Sequence, residues 1–209
     1  MLTPSKIVCV GRNYAAHARE LGNVVPERPL LFLKPPSSII RDGEAIVLPA
    51  QSRRVEHEAE IAIVIGRRMR HVTEGQARAS IEGITCANDV TARDLQESDG
   101  QWTRAKGFDT FCPIGPRIMP LDASVDLAAL EVIGRVNGTE RQRATAAAMT
   151  FPIPVLLAYI SGIMTLEPGD VVLTGTPDGV GVLAPGDTVE IEIPGVGILR
   201  NPVRSGGQS

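Results

Sequence analysis

Glu56-His57-Glu58-Ala59-Glu60-Ile61-Ala62-Ile63-Val64-Ile65-Gly66 is the stretch on which the fold depends. Its apolar run, 61–65, is rich in β-branched residues and predicts a short buried strand. Because side chains alternate between the two faces of a strand, Glu58 and Glu60 are expected to point the same way, opposite to the isoleucines. Two neighbouring carboxylates at the entrance to a buried strand repel each other and are costly to desolvate. A divalent cation between them would offset both costs, and a solvated strand end is the alternative.

Length and charge limit the classes of protein to be considered. The chain has 209 residues, a formal net charge of −3 and 43% hydrophobic residues. This length suits one domain, which we predict over residues 1–209. The nearly balanced charge gives no reason to expect a nucleic acid or an anionic membrane as partner, and no apolar run is long enough to span a bilayer.

The N-terminus and the cysteines indicate the compartment. The first residues lack the charged-then-apolar pattern of a signal peptide. Cys9, Cys86 and Cys112 are odd in number, widely spaced and form no CxxC pair. We interpret them as buried thiols in a reducing compartment and predict a cytoplasmic protein.

A histidine and a glutamate lie close together in the first predicted helix, which covers Arg12 to Leu21 and ends at Gly22. His17 and Glu20 are separated by three residues and therefore lie on one face of that helix. A carboxylate beside an imidazole orients the ring and raises its basicity, as a general base requires. The spacing alone favours the alternative, an ordinary surface pair.

A third acidic residue follows another predicted strand. Asp89 comes directly after an apolar segment that begins at Ile84, and it is a candidate to join Glu58 and Glu60 in one site. Three carboxylates without a suitably placed cysteine or histidine favour Mg²⁺, Mn²⁺ or Ca²⁺ over Zn²⁺. Alternation turns His57 away from this site, and the sequence contains no HExxH motif.

The rest of the chain predicts further strands, helices and turns. A β-hairpin is expected at Asn137-Gly138, a buried helix from near Pro154 to Met164, and hairpin turns at the two Pro-Gly-Asp steps. The glycine-rich loop 175–181 is not a P-loop, and its backbone N–H groups would suit a carboxylate. The segment 102–113 is expected to be a loop that either walls a pocket for an anion or packs on the core. Further expected elements are strands at 6–10, 30–34, 45–49 and 188–193 and a helix at 73–81.

Several motifs occur together in a fixed order. They are Asn13-Tyr14-x-x-His17-x-x-Glu20, Phe32-Leu33-Lys34-Pro35, Glu58-x-Glu60, Asn88-Asp89-x-Thr91-x-Arg93-Asp94-x-Gln96, Lys106-x-x-Asp109 and Thr174-Gly175-Thr176-Pro177-x-Gly179-Val180-Gly181. In this combination the chain resembles the fumarylacetoacetate hydrolase family, in particular its single-domain branch of acylpyruvate hydrolases, oxaloacetate decarboxylases and 2-hydroxyhepta-2,4-diene-1,7-dioate isomerases. The resemblance extends from Val8 to about Val203, and it favours a catalytic role for His17 and Glu20.

The resemblance implies a fold, a cofactor and a set of site residues. The implied fold is α+β and mostly β, a mixed β-sandwich roll with a short N-terminal lid helix at about 12–22. Members of the family are usually homodimers, so a homodimer is expected. The implied cofactor is Mg²⁺ or Mn²⁺, held by Glu58, Glu60 and Asp89. The residues that it implies around the substrate are the catalytic His17, Glu20 and Lys106 and the substrate-binding Arg93, Gln96 and Thr176.

The resemblance also implies a reaction class. Substrates are small 2-oxo or 2,4-dioxo carboxylates, and a bound metal stabilises the enolate that remains when the C3–C4 bond breaks. Water activated by the His17–Glu20 dyad leads us to expect a C–C hydrolase of acylpyruvate-type acids. Isomerisation of a diene-dioate and decarboxylation of oxaloacetate are the alternatives, because both use the same enolate. A metal-stabilised binding protein without turnover is a further alternative.

Overall fold

Ala59–Ile65 forms the central strand of a seven-stranded mixed sheet in the computed structural model, which describes residues 3–206. The parts of the domain and N-terminal predictions that concern residues 1–2 and 207–209 lie outside this range. The predicted strand at 61–65 is confirmed, and it begins two residues earlier.

The described residues contain strands and short helices in the following order. The strands are β1 Ile7–Gly11, β2 Leu30–Lys34, β3 Ile39–Ile40, β4 Ile46–Leu48, β5 Val55–His57, β6 Ala59–Ile65, β7 Ile81–Asn88, β8 Thr91–Ala92, β9 Cys112–Pro120, β10 Glu131–Val136, β11 Thr139–Thr145, β12 Val171–Leu173, β13 Gly181–Val182, β14 Thr188–Ile193 and β15 Gly197–Ser205. The helices are α1 Ala15–Glu20, α2 Glu74–Arg78, α3 Arg93–Asp99, α4 Thr103–Gly107 and α5 Ile153–Ile163.

These strands form three sheets. The large sheet has the order β2-β1-β12-β6-β7-β9-β3, a second sheet has the order β11-β10-β14-β15-β4, and a small one has the order β13-β5-β8. The second sheet packs on the large one, with β14 and β15 against β7 and β9 and with β10 against β6. The mostly β fold expected from the resemblance is therefore confirmed.

Both faces of β6 are buried. Ile61, Ile63 and Ile65 belong to the main core, whereas Ala62 belongs to a second apolar cluster that includes Cys9. The period of two thus separates two apolar layers, as alternation requires. A strand buried on both faces is a rigid base for the polar residues at its start.

The helices differ from the predictions mainly in their bounds. α1 is shorter than the predicted helix over 12–21, because Arg12 adopts a left-handed backbone conformation with φ of 58°. α2 ends at Arg78 rather than at 81, because Ile81 begins β7, and its N-terminus has a capping box built from Thr73 and Gln76. α5 begins at Ile153, immediately after Pro152, close to the predicted start.

Two local predictions are wrong. The segment 102–113 is not a loop throughout, since α4 occupies its first half. A helix of five residues is too short to show a helical period in the sequence. The two Pro-Gly-Asp steps do form turns, with φ of 86° at Gly169 and 94° at Gly186, but they do not form hairpins. Each turn leads into a strand, β12 or β14, that pairs with other partners than the strand before the turn. The hairpin at Asn137-Gly138, by contrast, is confirmed by the pairing of β10 with β11.

The prediction that the three cysteines are buried, unpaired thiols is confirmed. Cys9, Cys86 and Cys112 are free and buried. Burial raises the pKa of the Cys86 and Cys112 thiols to about 12. Within residues 3–206, no helix has the length and apolar character that crossing a membrane requires.

Candidate active site

Antiparallel pairing brings the three predicted carboxylates together. β7 runs antiparallel to β6 with Asn88 opposite Ala59, so Asp89 emerges beside Glu58, and the Asp89 N–H donates to the Glu58 carbonyl at 2.9 Å. Glu60 lies two residues along β6. Carboxylate oxygens of Glu58, Glu60 and Asp89 lie within 4.8 Å of one another, and all three residues are buried. The convergence predicted from the sequence is confirmed.

Buried cations surround two of the three carboxylates. The Lys106 ammonium lies 2.7 Å from both Glu58 Oε2 and Asp89 Oδ2, and Lys34 Nζ donates to Asp89 Oδ1 at 2.6 Å. Arg93 Nη2 donates to Glu58 Oε1 at 2.6 Å. Burial alone would raise the pKa of Glu58, but Lys106 and Arg93 hold it well below its usual range. Burial alone would lower the pKa of Lys106, and Asp89 and Glu58 raise it instead.

Glu60 is in a different position. Within the described residues it has no ion-pair partner, and its Oε2 accepts a 2.6 Å hydrogen bond from the backbone N–H of Gly175. Burial, with repulsion from Asp89 and Glu58, raises the pKa of Glu60 well above its usual range. Among the described residues, no cation therefore balances a negative charge on Glu60.

The donor set fits a hard divalent cation. Three converging, buried carboxylates offer oxygen ligands only, which is the chemistry that Mg²⁺ and Mn²⁺ prefer. His57, which alternation was expected to turn away, lies outside this set: its Nδ1 is 3.0 Å from Gln142 Oε1. Burial lowers the pKa of His57, which favours the neutral form of the ring. The buried triad could hold a metal ion, and its chemistry selects an oxygen-preferring one.

The His17–Glu20 dyad is present in the structure. His17 Nδ1 lies 3.3 Å from Glu20 Oε2, and His17 is only 4% exposed. Glu20 Oε1 accepts a 3.0 Å hydrogen bond from the Gly179 N–H, so the glycine-rich loop holds the carboxylate in place. The pair is not an ordinary surface pair, because its imidazole is buried and faces the same cavity as the carboxylates.

One cavity connects these groups. It measures about 490 Å³ and lies where β1, β7 and β12 end and β6 begins. Its wall includes all nine predicted site residues except Glu20, namely His17, Glu58, Glu60, Asp89, Arg93, Gln96, Lys106 and Thr176. Phe32 of β2 and Trp102 of the segment 102–113 also line it. Phe108 and Phe111 of that segment pack in the core instead. Both interpretations of the segment 102–113 thus apply to different side chains.

The predicted substrate-binding residues are also tied to the protein. Arg93 donates to Glu56 and Glu58 and, through Nη1, to Gln96 Oε1 at 2.5 Å. The Thr176 hydroxyl donates to the Ala59 carbonyl at 3.0 Å. In this arrangement Arg93 fixes Glu58 in position, and its contact with a substrate stays a prediction.

Comparison with known proteins agrees with this geometry. Residues 6–204 match the model of the family described as fumarylacetoacetate (FAA) hydrolase C-terminal. The chain belongs to the fumarylacetoacetate hydrolase family. It is therefore an enzyme of that family, and the alternative of a binding protein without turnover loses its support.

Relatives within the fumarylacetoacetate hydrolase family carry isomerase and tautomerase names. The structure of a 5-carboxymethyl-2-hydroxymuconate delta-isomerase from Mycobacterium smegmatis is 49% identical, with a TM-score of 0.91 over 99% of this chain and 81% of that chain. A 2-hydroxyhepta-2,4-diene-1,7-dioate isomerase from Mycobacterium marinum is 48% identical, with a TM-score of 0.90 over 99% of this chain and 77% of that chain. The oxaloacetate tautomerase FAHD1 of Arabidopsis thaliana is 47% identical over 92% of this chain and 87% of its own.

Two buried residues of this family member were not predicted as site residues. Lys34, 1% exposed, binds Asp89; a lone lysine in the apolar strand 30–34 was a usable signal. Gln142 donates through Nε2 to the Thr176 hydroxyl at 2.8 Å and accepts at Oε1 from the Ala59 N–H at 2.9 Å. It lies in the polar strand Thr139–Thr145, where nothing in the sequence distinguishes it from its exposed neighbours.

Proposed function

We propose that this protein catalyses proton transfer at the carbon next to the carbonyl of a small 2-oxo acid, interconverting keto and enol forms with Mg²⁺ or Mn²⁺ as cofactor. The observation that carries the proposal is the buried His17, paired with Glu20, in the cavity that also contains the carboxylate triad. A base and an anion-stabilising centre facing one substrate are the minimum that enolisation requires. The names of the relatives, oxaloacetate tautomerase and two isomerases, support the same chemistry.

Each group of site residues has its own role in the proposed reaction. Glu58, Glu60 and Asp89 would hold the cation, which when bound supplies Lewis-acid stabilisation of developing negative charge. With Nδ1 directed at Glu20, the Nε2 atom of His17 is the ring nitrogen that accepts the proton from C3. The electrons of that C–H bond form the C2–C3 double bond, the carbonyl oxygen takes a proton from solvent to become the enol oxygen, and the His17 imidazolium returns its proton to solvent. Lys106 places a positive charge beside the oxygen that gains electron density.

Cleavage of a C–C bond in an acylpyruvate is a second candidate, and the intact His17–Glu20 dyad favours it. In that reaction His17 deprotonates a water that attacks C4, the C3–C4 bond breaks with its electrons passing to C3, and the His17 imidazolium returns the proton to C3 to give pyruvate. Decarboxylation of oxaloacetate, an alternative from the sequence, needs no such base and is less well explained by a buried dyad. The homodimer and the cytoplasmic location remain predictions.

The test follows the enol absorbance of oxaloacetate with Mg²⁺ or Mn²⁺ and again with a chelator. We expect metal-dependent loss of the enol with oxaloacetate recovered intact. Release of pyruvate and CO₂ would instead indicate decarboxylation. Formation of pyruvate and acetate from acetylpyruvate, with no effect on oxaloacetate enol, would move the assignment to C–C hydrolysis. A rate that the chelator does not change would contradict the role of the carboxylate triad.

A further inference from the structure

Arg12 is a cavity residue to which the catalytic scheme above assigns no part. It lies between β1 and α1 and contributes to the wall of the cavity that contains His17 and the three carboxylates. Its guanidinium carbon is 5.8 Å from the centre of the Trp102 ring. The side chain is half-buried, so it combines access to a ligand with partial shielding from water.

The charge of Arg12 is not used within the protein. The other two strong cations of the cavity wall are engaged: Lys106 with Glu58 and Asp89, and Arg93 with Glu56 and Glu58. Arg12 makes no ion pair and donates no side-chain hydrogen bond to any of the residues 3–206. A guanidinium that is unpaired and faces a cavity is suited to bind an anion from solution, and its planar fork matches a carboxylate with two parallel hydrogen bonds.

The position of Arg12 is fixed by its neighbours. Its φ of 58° is unfavourable for a residue with a Cβ, and such outliers cluster at ligand sites. Trp102, the platform for the guanidinium, packs edge-on against Phe32 with ring centres 5.2 Å apart. The absence of a side chain at Gly11 allows this packing, because a Cβ there would lie 2.7 Å from Trp102 Cζ3. The Trp102 ring is therefore a fixed surface against which the guanidinium can lie.

We propose that Arg12, held against Trp102, binds the distal carboxylate of the substrate, so that the enzyme selects 2-oxo dicarboxylic acids over 2-oxo monocarboxylic acids. This inference rests on the proposed function for the other end of the substrate, the 2-oxo acid group at the carboxylate triad. It adds a specificity-determining residue that lies outside the acid–base and metal-binding groups.

Binding of two inert ligands in Mg²⁺ buffer tests the proposal. N-oxalylglycine and N-methyloxamate share an oxamate head that cannot enolise, and only the first carries a distal carboxylate. Calorimetric titration is made with the wild type, Arg12→Gln, Arg12→Lys and the control Arg67→Gln. Arg12→Gln retains a Cβ and removes the charge, whereas Arg67 is exposed just beyond the opposite end of β6. Thermal unfolding of each variant shows that it is folded.

We expect the wild type to bind N-oxalylglycine more tightly than N-methyloxamate. Arg12→Gln should weaken N-oxalylglycine on the order of 10- to 100-fold, the effect of losing a charge-assisted hydrogen bond, and change N-methyloxamate by less than about twofold. Arg12→Lys should retain part of the affinity for N-oxalylglycine. The control Arg67→Gln should bind both ligands as the wild type does.

Three results would overturn the proposal: equal affinity of the wild type for the two ligands, an equal loss for both ligands in Arg12→Gln, or no binding of either ligand. The binding assay is independent of turnover. If oxaloacetate enol is not consumed but the charge-dependent discrimination by Arg12 persists, the proposed function fails and the distal carboxylate site remains. If turnover is found without discrimination, only the role of Arg12 is lost.

Discussion

His17 Nδ1 lies 3.3 Å from Glu20 Oε2, and both residues belong to the six-residue helix α1. The imidazole is buried, whereas the side chain of Glu20 is 33% exposed. The carboxylate therefore stays in contact with water, while the ring that it orients is shielded from bulk water. This asymmetry separates the proton acceptor from the group that holds it.

Replacing His17 separates catalysis from metal binding. His17→Ala should lower kcat by about 10²–10⁴, the usual contribution of a general base, and leave the affinity for Mn²⁺ unchanged. Enol-absorbance kinetics and calorimetric Mn²⁺ titration measure the two quantities. The control is His71→Asn, because His71 is exposed, remote from the cavity and in a left-handed conformation that asparagine tolerates. A loss of Mn²⁺ affinity in His17→Ala would identify His17 as a ligand or structural residue instead.

Glu58 and Glu60 should respond in opposite ways to the same substitution in the metal-free protein. Glu58→Gln leaves Arg93 and Lys106 short of a buried partner and should lower the free energy of unfolding by about 3–5 kcal/mol. Glu60→Gln removes a carboxylate without an ion-pair partner among the described residues, while its amide oxygen can still accept from Gly175. We expect it to raise the free energy of unfolding by about 1 kcal/mol or more at neutral pH.

Urea unfolding in the presence of a chelator measures both effects. A repeat with Mg²⁺ should stabilise the wild type and neither variant, since each lacks one proposed ligand. Equal destabilisation by the two substitutions would show that Glu60 has a compensating partner in solution and would contradict the electrostatic description of the cluster.

The raised pKa of Glu60 gives the metal-free protein a defined pH dependence. Above the ordinary value of 4.5 the unfolded chain loses the proton while the folded protein keeps it, so the folded state binds more protons. The contribution of Glu60 to stability is therefore complete below about pH 4.5 and falls as the pH rises toward the folded pKa, by up to about 1.4 kcal/mol per pH unit. The stability difference between Glu60→Gln and the wild type should therefore grow as the pH rises above about 4.5.

Glu58 contributes with the opposite sign. Because its folded pKa is lowered, its stabilisation is present above about 4.5 and is lost as the pH falls below that value. Above about pH 5 the contribution of Glu58 no longer changes with pH, so comparing the unfolding free energies of the wild type and Glu60→Gln in that range isolates the contribution of Glu60. A difference that is constant across the range would refute the assignment of a raised pKa to Glu60.

Two glycines with the same backbone conformation provide a matched steric test. Gly179 and Gly186 both have φ of 94°, but a Cβ at Gly179 would overlap the carbonyl oxygen of Arg141, whereas a Cβ at Gly186 would meet open space. Gly186→Ala should lower the unfolding free energy by about 1 kcal/mol from backbone strain alone. Gly179→Ala should cost about 2–4 kcal/mol and also lower kcat, because its N–H holds Glu20. Similar losses in the two variants would mean that the loop moves freely away from Arg141.

The sequence predicts the carboxylate end of the cavity better than the remainder. Glu58 and Glu60 stand out because they lie at the start of a strongly apolar strand, and Asp89 follows a second strand, so the local pattern is enough to make them candidates. Arg12 and Gln142 carry no such signal. Their importance depends on tertiary placement, on Trp102 in one case and on Thr176 in the other, and residues distant in sequence decide both.

The same difference explains the errors in the fold. α4 is only five residues long and cannot show a helical period, so Lys106 was expected on a loop although a helix carries it. The Pro-Gly-Asp turns were recognised from local chemistry, but the partners of the strands that follow depend on sheet order. Local preferences define the turn, and long-range packing decides what it connects.

The place of β12 in the large sheet has a consequence for synthesis of the chain. β12 lies between β1 and β6, and Thr174, which follows it, donates to the Ile61 carbonyl across a sequence separation of 113 residues. While the ribosome is still making the intervening segment, β1 and β6 both have unpaired edges, and the carboxylate cluster lacks the Gly175 N–H. We therefore expect nascent chains of this protein to expose these strand edges until β12 is made, and molecular chaperones that shield such edges should improve the yield of folded protein.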